Sequence, residues 1–278
     1  MVKVAIKYKK PLWWPWWKTH QAEFPTEWEQ LNAEQFALAV KILSKGYLGE
    51  KDKTLFFNMV LGLKNFPVYN LPVSLLQLSD FMLDIVEPFN KVFFKELNIN
   101  GVTYYGPDDG FYIVRLGEWA FADTFFTEFV KNKNEEMCNK MIACLYRPSG
   151  NSYGVKGGIY NPESVDYDGD IREKFNDNLI EHRSKIFEEL DCDVKNAIIF
   201  NYRIMRRWIE EKYPNLFPHE KPKLRVIISR QNNNGWDKFI RNLCNGDLTK
   251  LGAVADLYIH PVLKETDEAI EAQNTKTT

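Results

Sequence analysis

The sequence predicts a mainly α protein with a minor β component, a multi-helix globular core carrying an N-terminal strand and one hairpin. Three observations predict it. Apolar side chains recur at helical spacing through most of the middle of the chain. Capping and stop residues punctuate those stretches. Clear strand patterning is found at the start of the chain and in one turn-rich segment. At 278 residues, with 45% apolar and 27% charged side chains, the chain is long enough to bury a substantial core and is too apolar to be disordered.

Met1–Lys10 alternates apolar and basic residues with period two, the pattern of a strand with one buried face. Leu12-Trp-Trp-Pro-Trp-Trp17 follows, where Pro11 and Pro15 forbid regular helix and leave Trp13, Trp14, Trp16 and Trp17 on an extended arm. Residues 1–29 therefore form a strand and a Trp-rich arm. Thr26-Glu-Trp-Glu29 reads as a capping box, followed by the stripe Leu31, Phe36, Val40 and Leu43 and a stop at Gly46. Further helices are expected over 52–64 and 74–86, with Pro88 limiting the second.

β-Formers flank Gly106-Pro-Asp-Asp-Gly110, which predicts a hairpin near 99–114. Helices then run over 118–130 and 135–146, hinged at Lys131-Asn-Lys-Asn134, and a Gly, Ser, Tyr and Asp-rich loop occupies 147–170. A helix pair follows, 172–190 with the stripe Phe175, Leu179, Ile186 and Leu190, and 194–213 with Val194, Ile198, Tyr202, Met205 and Ile209. These elements make residues 30–218 one helical core. Leu224–Ser229 fits strand or helix, and residues 222–278 form a C-terminal helical segment broken at Asn245-Gly246, restarted near Pro261 and frayed from Gln273.

A net charge of −2 exerts no overall pull toward nucleic acid or anionic membrane. The four cysteines are dispersed without a Cys-x-x-Cys pair, so reduced thiols are expected. With no run near the roughly 18 apolar residues of a membrane span, the expected location is a cytoplasm.

Candidate chemistry fails at named positions. Asp166, Asp168 and Asp170 alternate as calcium-loop oxygens do, but Ile171 stands where that loop wants Gly and Asp177 where it wants Glu. His20, His182, His219 and His260 lack the zinc-enzyme spacing. Gly154-Val-Lys-Gly-Gly158 lacks the ending of a phosphate loop. No cofactor is called for. Arg203, Arg206 and Arg207 cluster on one helix, but Glu210 and Glu211 stand beside them, which favours intrahelical ion pairs over nucleic acid. That cluster and the four tryptophans are the partner-binding candidates, because Trp and Arg anchor interfaces and a content of 19 Phe, 13 Tyr and 8 Trp points to large core contacts or sticky interfaces.

Four phrases are similar as a set to proteins from tail-gene neighbourhoods of tailed phages and prophages: Phe24-Pro-Thr-Glu-Trp-Glu-Gln-Leu31 with Glu34-Gln-Phe36, Leu116-Gly-Glu-Trp-Ala-Phe-Ala-Asp123, Ala143-Cys-Leu-Tyr-Arg-Pro148 and Asp170-Ile-Arg-Glu173. The resemblance covers most of Phe24–Phe217. It implies a tail assembly chaperone-like or minor virion protein, with tape-measure, tail or virion proteins, or further copies of the chain, as partners. The expectation that the resemblance implies is a non-enzymatic morphogenesis protein, located in the cytoplasm of a bacterial host cell or in a virion. A structural virion component docking through the Trp-rich arm, and an enzyme with a site assembled near loop 147–170, are the alternatives.

Overall fold

The computed structural model describes residues 1–9, 17–46, 49–62, 86–150, 169–218 and 235–277. Among the described residues the protein is mainly α with two small sheets, one of two strands and one of three. It divides into two compact units, the first made of Met1–Phe89 with Cys192–Phe200 and the second of Asn90–Asp191 with Asn201–Thr278.

In the first unit, β1 (Val2–Lys9) pairs antiparallel with β2 (Trp17–Phe24), from Val2↔Phe24 to Lys9↔Trp17. The strand expected at the N-terminus is present, and it is one half of a hairpin. Trp17 opens β2, while Trp13, Trp14 and Trp16 lie outside the described residues. At the far end, Phe24 is fully buried and its ring stacks on Phe57 at 4.8 Å, with Phe56 edge-on at 6.2 Å. Both partners come from α2 (Glu50–Val60).

No helix starts at Thr26. Trp28–Gln30 is a 3-10 turn, after which Leu31 returns to extended backbone, and Thr26 N–H donates to Gln30 Oε1 at 3.0 Å. The capping box forms six residues later. Asn32 Oδ1 accepts Gln35 N–H at 2.9 Å while Gln35 Oε1 accepts Asn32 N–H at 3.0 Å, which satisfies two donors at the start of α1 (Ala33–Ser44). Gly46, at φ 73°, ends that helix as expected. Trp28, Phe36 and Phe200 form an aromatic triangle with centroids 5.7–6.0 Å apart. The expected helix over 74–86 lies outside the described residues.

The second unit opens with a hairpin of β3 (Glu96–Ile99) and β4 (Val102–Tyr105), and its turn is Asn100-Gly101 rather than the Gly-Pro-Asp-Asp-Gly segment. Both turn residues have positive φ, 52° and 79°, the geometry of a type I′ turn, which Asn-Gly adopts at least cost. The Asp-Asp-Gly segment instead coils into a 3-10 turn at Asp109–Phe111, where the Asp108 carboxylate accepts N–H groups of Tyr112 and Ile113.

β5 (Arg147–Pro148) completes the three-stranded sheet. α3 (Leu116–Asn132) and α4 (Glu135–Leu145) pack on one another, joined at Lys133, whose left-handed φ of 55° lies in the expected hinge.

The first member of the expected helix pair is shorter and differently phased. Arg172–Phe175 is held extended by the bridge Ser149↔Arg172 and by Glu173 N–H on Pro148 O, so helix begins only after Asn176. α5 (Ile180–Ile186) then buries Ile180, Arg183 and Ser184, and Phe187 follows in a 3-10 turn, in place of the predicted stripe. Its neighbour is α4. In α6 (Cys192–Lys212) four of the five expected stripe residues, Ile198, Tyr202, Met205 and Ile209, are buried, and Val194 is half-buried. The last unit also follows its pattern, as α7 (Gly235–Leu243), a break with positive φ at Asn245 and Gly246, α8 (Leu251–Ala255) and α9 (Ile259–Thr277). α9 stays helical through Thr277, so the tail does not fray at Gln273.

α3 is the hub of the second unit and touches α4, α7, α8 and α9. A Cβ at Gly117 would meet Ala255 Cβ at 3.1 Å, so glycine lets α3 approach α8 closely. We predict that Asn32→Ala, which deletes the capping box, lowers stability by about 1 kcal/mol, read from the urea unfolding midpoint.

Candidate functional site

Three of the four phrases converge on one place. Glu118 points from the first turn of α3 into the core beside Arg147, at the start of β5, and Arg172, which follows Asp170 by two residues. Glu118, Arg147 and Arg172 are each at most 1% exposed and Asp170 is 7% exposed, so all four charges are out of water.

Arg172 uses all five of its N–H groups. Nε and Nη2 grip Asp170 at 2.8 and 2.9 Å, Nη1 reaches Glu118 Oε1 at 2.7 Å and Leu145 O at 2.9 Å, and Nη2 also reaches Glu118 Oε2 at 3.4 Å. Arg147 is equally engaged, by Glu173 O, Cys144 O, both oxygens of Glu118 and Asp170 Oδ2. Two guanidiniums meet two carboxylates, so the cluster is neutral. Burial alone would depress Arg172, but Glu118 and Asp170 together hold its pKa above the usual value. Burial, helped by the neighbouring Arg172 charge, lowers that of Arg147. Burial, with the Glu118 charge, pushes the Cys144 thiol well up, leaving it an inert core thiol.

This overturns Asp170 as a metal ligand, since both its oxygens are spent on Arg172. Asp166, Asp168 and the glycines at 154–158 lie outside the described residues. Among the described residues, no group of three His, Cys, Asp or Glu side chains is placed to hold a metal, and no helix is long and apolar enough to cross a membrane.

Asp123, on another face of α3, makes a second buried knot. It accepts Arg206 Nε at 2.7 Å, Trp236 Nε1 at 2.8 Å and Tyr202 OH at 3.3 Å. Arg206 also pairs with Glu210 at 2.8 Å, and Arg207 with Glu211 at 3.8 Å, as the sequence favoured. Arg206 is thereby a structural anchor, not a surface contact. Arg203 is exposed and Arg207 partly so, and the three arginines do not form one open patch.

The accessible chemistry of this unit lies elsewhere. A groove of about 810 Å³ runs beside α9 and the end of α6, floored by Tyr112, Tyr258 and His260 and rimmed by acidic residues of α9. His260 is buried at 6% exposure between Tyr213 OH, 2.7 Å from Nδ1, and Gly110 O, 2.5 Å from Nε2. That pairing fits a neutral ring whose Nε2–H donates to the carbonyl and whose Nδ1 accepts the hydroxyl. Burial, with Lys212 nearby, lowers the His260 pKa, and burial raises Tyr213 to about 12. Of the four histidines, His182 is exposed and His219 lies outside the described residues. The groove was missed in the sequence because its residues come from three distant segments.

No family model matches the chain, and neither the curated proteins nor the solved structures contain a match.

Two predictions follow from this geometry. Glu118→Ala strands two buried guanidiniums and is expected to cost about 3–5 kcal/mol, measured by chemical denaturation. For His260, the unfolded ring takes up a proton near its ordinary pKa of 6.5 while the native ring resists, so stability is full above that pH and falls as pH drops below it. His260→Gln should flatten this part of the profile, seen in melting temperatures between pH 7.5 and 5.5 (roughly one pH unit either side of the histidine value).

Proposed function

We propose that the protein is a non-enzymatic morphogenesis protein of a tailed phage or prophage, tail assembly chaperone-like, that works by holding a segment of another protein. The observation that carries this reading is the groove beside α9, whose aromatic floor and acidic rim offer a partner chain both apolar contact and charge. The buried charge supports it from the other side. In the phrases that resemble tail-region proteins, Glu118, Asp123, Arg147, Asp170 and Arg172 are consumed in holding the fold together. What those phrases maintain is a scaffold, and the scaffold presents the groove.

A chaperone of this kind binds an amphipathic segment of a tape-measure protein during assembly and releases it before the particle is finished. Pull-down of the tagged chain from cells expressing the tail genes should recover the tape-measure protein in near-stoichiometric amount, and purified virions should lack the chain. Stoichiometric incorporation into virions would overturn the chaperone reading in favour of a structural one, and recovery of the chain alone would overturn both.

A further inference from the structure

We infer that the groove recognises a cationic side chain of its partner, seated in an aromatic cage that Lys212 now fills. This rests on the reading that the groove holds a partner segment, and it names the chemistry that segment must bring.

Lys212 is the last residue of α6 and is exposed, with four carboxylates lining the same groove. Yet its ammonium sits among rings. Nζ is 4.7 Å from the Trp208 centroid, 4.8 Å from Tyr112 and 5.7 Å from Tyr213, and donates to Tyr112 OH at 3.2 Å. Tyr112 and Tyr213 line the groove with Lys212. Trp208, nearly perpendicular to Tyr112 at 76° with centroids 6.4 Å apart, reaches the ammonium from the same helix as Lys212 without lining the groove. Ring faces turned to a common point attract a cation through their quadrupoles, which is how aromatic cages select ammonium groups.

The rings are braced from behind. His260 packs on Tyr112 at 4.6 Å and is itself fixed by Tyr213 OH and Gly110 O. Tyr112 remains 48% exposed, so its ring is open to a partner from solvent.

The charge of the groove points the same way. Lys212 and Lys264 face Glu265, Asp267, Glu268 and Glu271, two positive charges against four negative. Asp267 turns inward to Leu216 N–H and Asn215, and Glu268 meets Lys264 at 3.8 Å. Among the described residues, Glu265 and Glu271 have no cationic partner. The rim thus fits a basic segment, with one lysine or arginine entering the cage and its neighbours meeting the free carboxylates. Each exposed ring contact is worth only about two- to fivefold in an equilibrium. An incoming cation regains the ring contacts that Lys212 gives up, so the exchange costs little. Lys212 keeps the cage formed until the partner arrives.

The test uses the full chain and a fluorescein-labelled amphipathic peptide bearing lysines, beside a copy with norleucine in their place, read by anisotropy. The lysine peptide should bind at least about tenfold tighter than the norleucine copy, by the summed ring and carboxylate contacts. Lys212→Gln, at an exposed site, should tighten lysine-peptide binding about two- to fivefold, whereas Tyr112→Ala weakens it by a similar factor and Tyr112→Phe restores it. Tetramethylammonium should compete. Equal binding of both peptides, or a Lys212→Gln chain that binds no more tightly, overturns the inference. Binding of tetramethylammonium without the lysine peptide overturns the partner as occupant and leaves a small-cation site. If Tyr112→Ala still recovers the tape-measure protein undiminished, the cage reading fails while the proposed function stands.

Discussion

The carboxylate of Glu118, held in the core by two guanidiniums, is the contact on which the second unit depends. It brings α3, the junction of α4 with β5, and the extended stretch at Arg172 to one point. Removing four charges from water is costly, and their mutual attraction repays that cost only with near-complete hydrogen bonding. The full use of both guanidiniums meets that condition. What such a cluster adds over a packed apolar core is specificity, because a one-residue slip at β5 would leave a charge unpaired. The cluster also ties Arg147 to Asp170, which in turn holds Arg172.

α3 carries its acids on two faces. Glu118 and Asp123 are five residues apart, about 140° around a helix of 3.6 residues per turn. One faces the sheet side and the other faces Tyr202, Arg206 and Trp236. A helix with a single apolar stripe can rotate or slide in its seat at small cost. Polar anchors in two directions remove that freedom, and with Gly117 against Ala255 they fix α3 in both rotation and depth. Everything that lines the groove is then placed by elements attached to this hub. The backbone links Leu116 N–H to Leu257 O and Ile259 N–H to Val114 O tie the start of α9 to the start of α3.

Helix positions were largely legible in the sequence, because the stripes in α1 and α6 report burial directly. The misreadings are cases of competition between signals. At Thr26 and at Gly106–Gly110 a stronger local signal a few residues away won, and at Arg172 longer-range pairing did. Asn32 with Gln35 outcompeted Thr26, Asn100-Gly101 outcompeted the proline turn, and the bridge to Ser149 held Arg172 extended. The ion cluster left one trace. Glu118 and Asp123 sit inside the apolar run Leu-Gly-Glu-Trp-Ala-Phe-Ala-Asp, where an acid must be either exposed or paired. Its partners, 29 and 54 residues further along, gave no local sign. The aromatic cage was invisible for the same reason. Trp208 and Lys212 are helical neighbours, but Tyr112 joins them only through the fold.

The buried histidine and the cage are coupled through charge. Lys212 disfavours protonation of His260, and linkage makes the effect mutual: a proton on His260 disfavours a cation in the cage by the same free energy. The ring lies 4.6 Å from Tyr112 and 5.9 Å from Trp208, against the two nearly perpendicular rings. Burial, which keeps His260 neutral near pH 7, therefore serves the cage as well as the core. An uncharged brace leaves the ring faces and the acidic rim as the dominant fields at the groove, and both favour a positive charge. A buried histidine in the groove floor thus sets the electrostatic character of the surface above it.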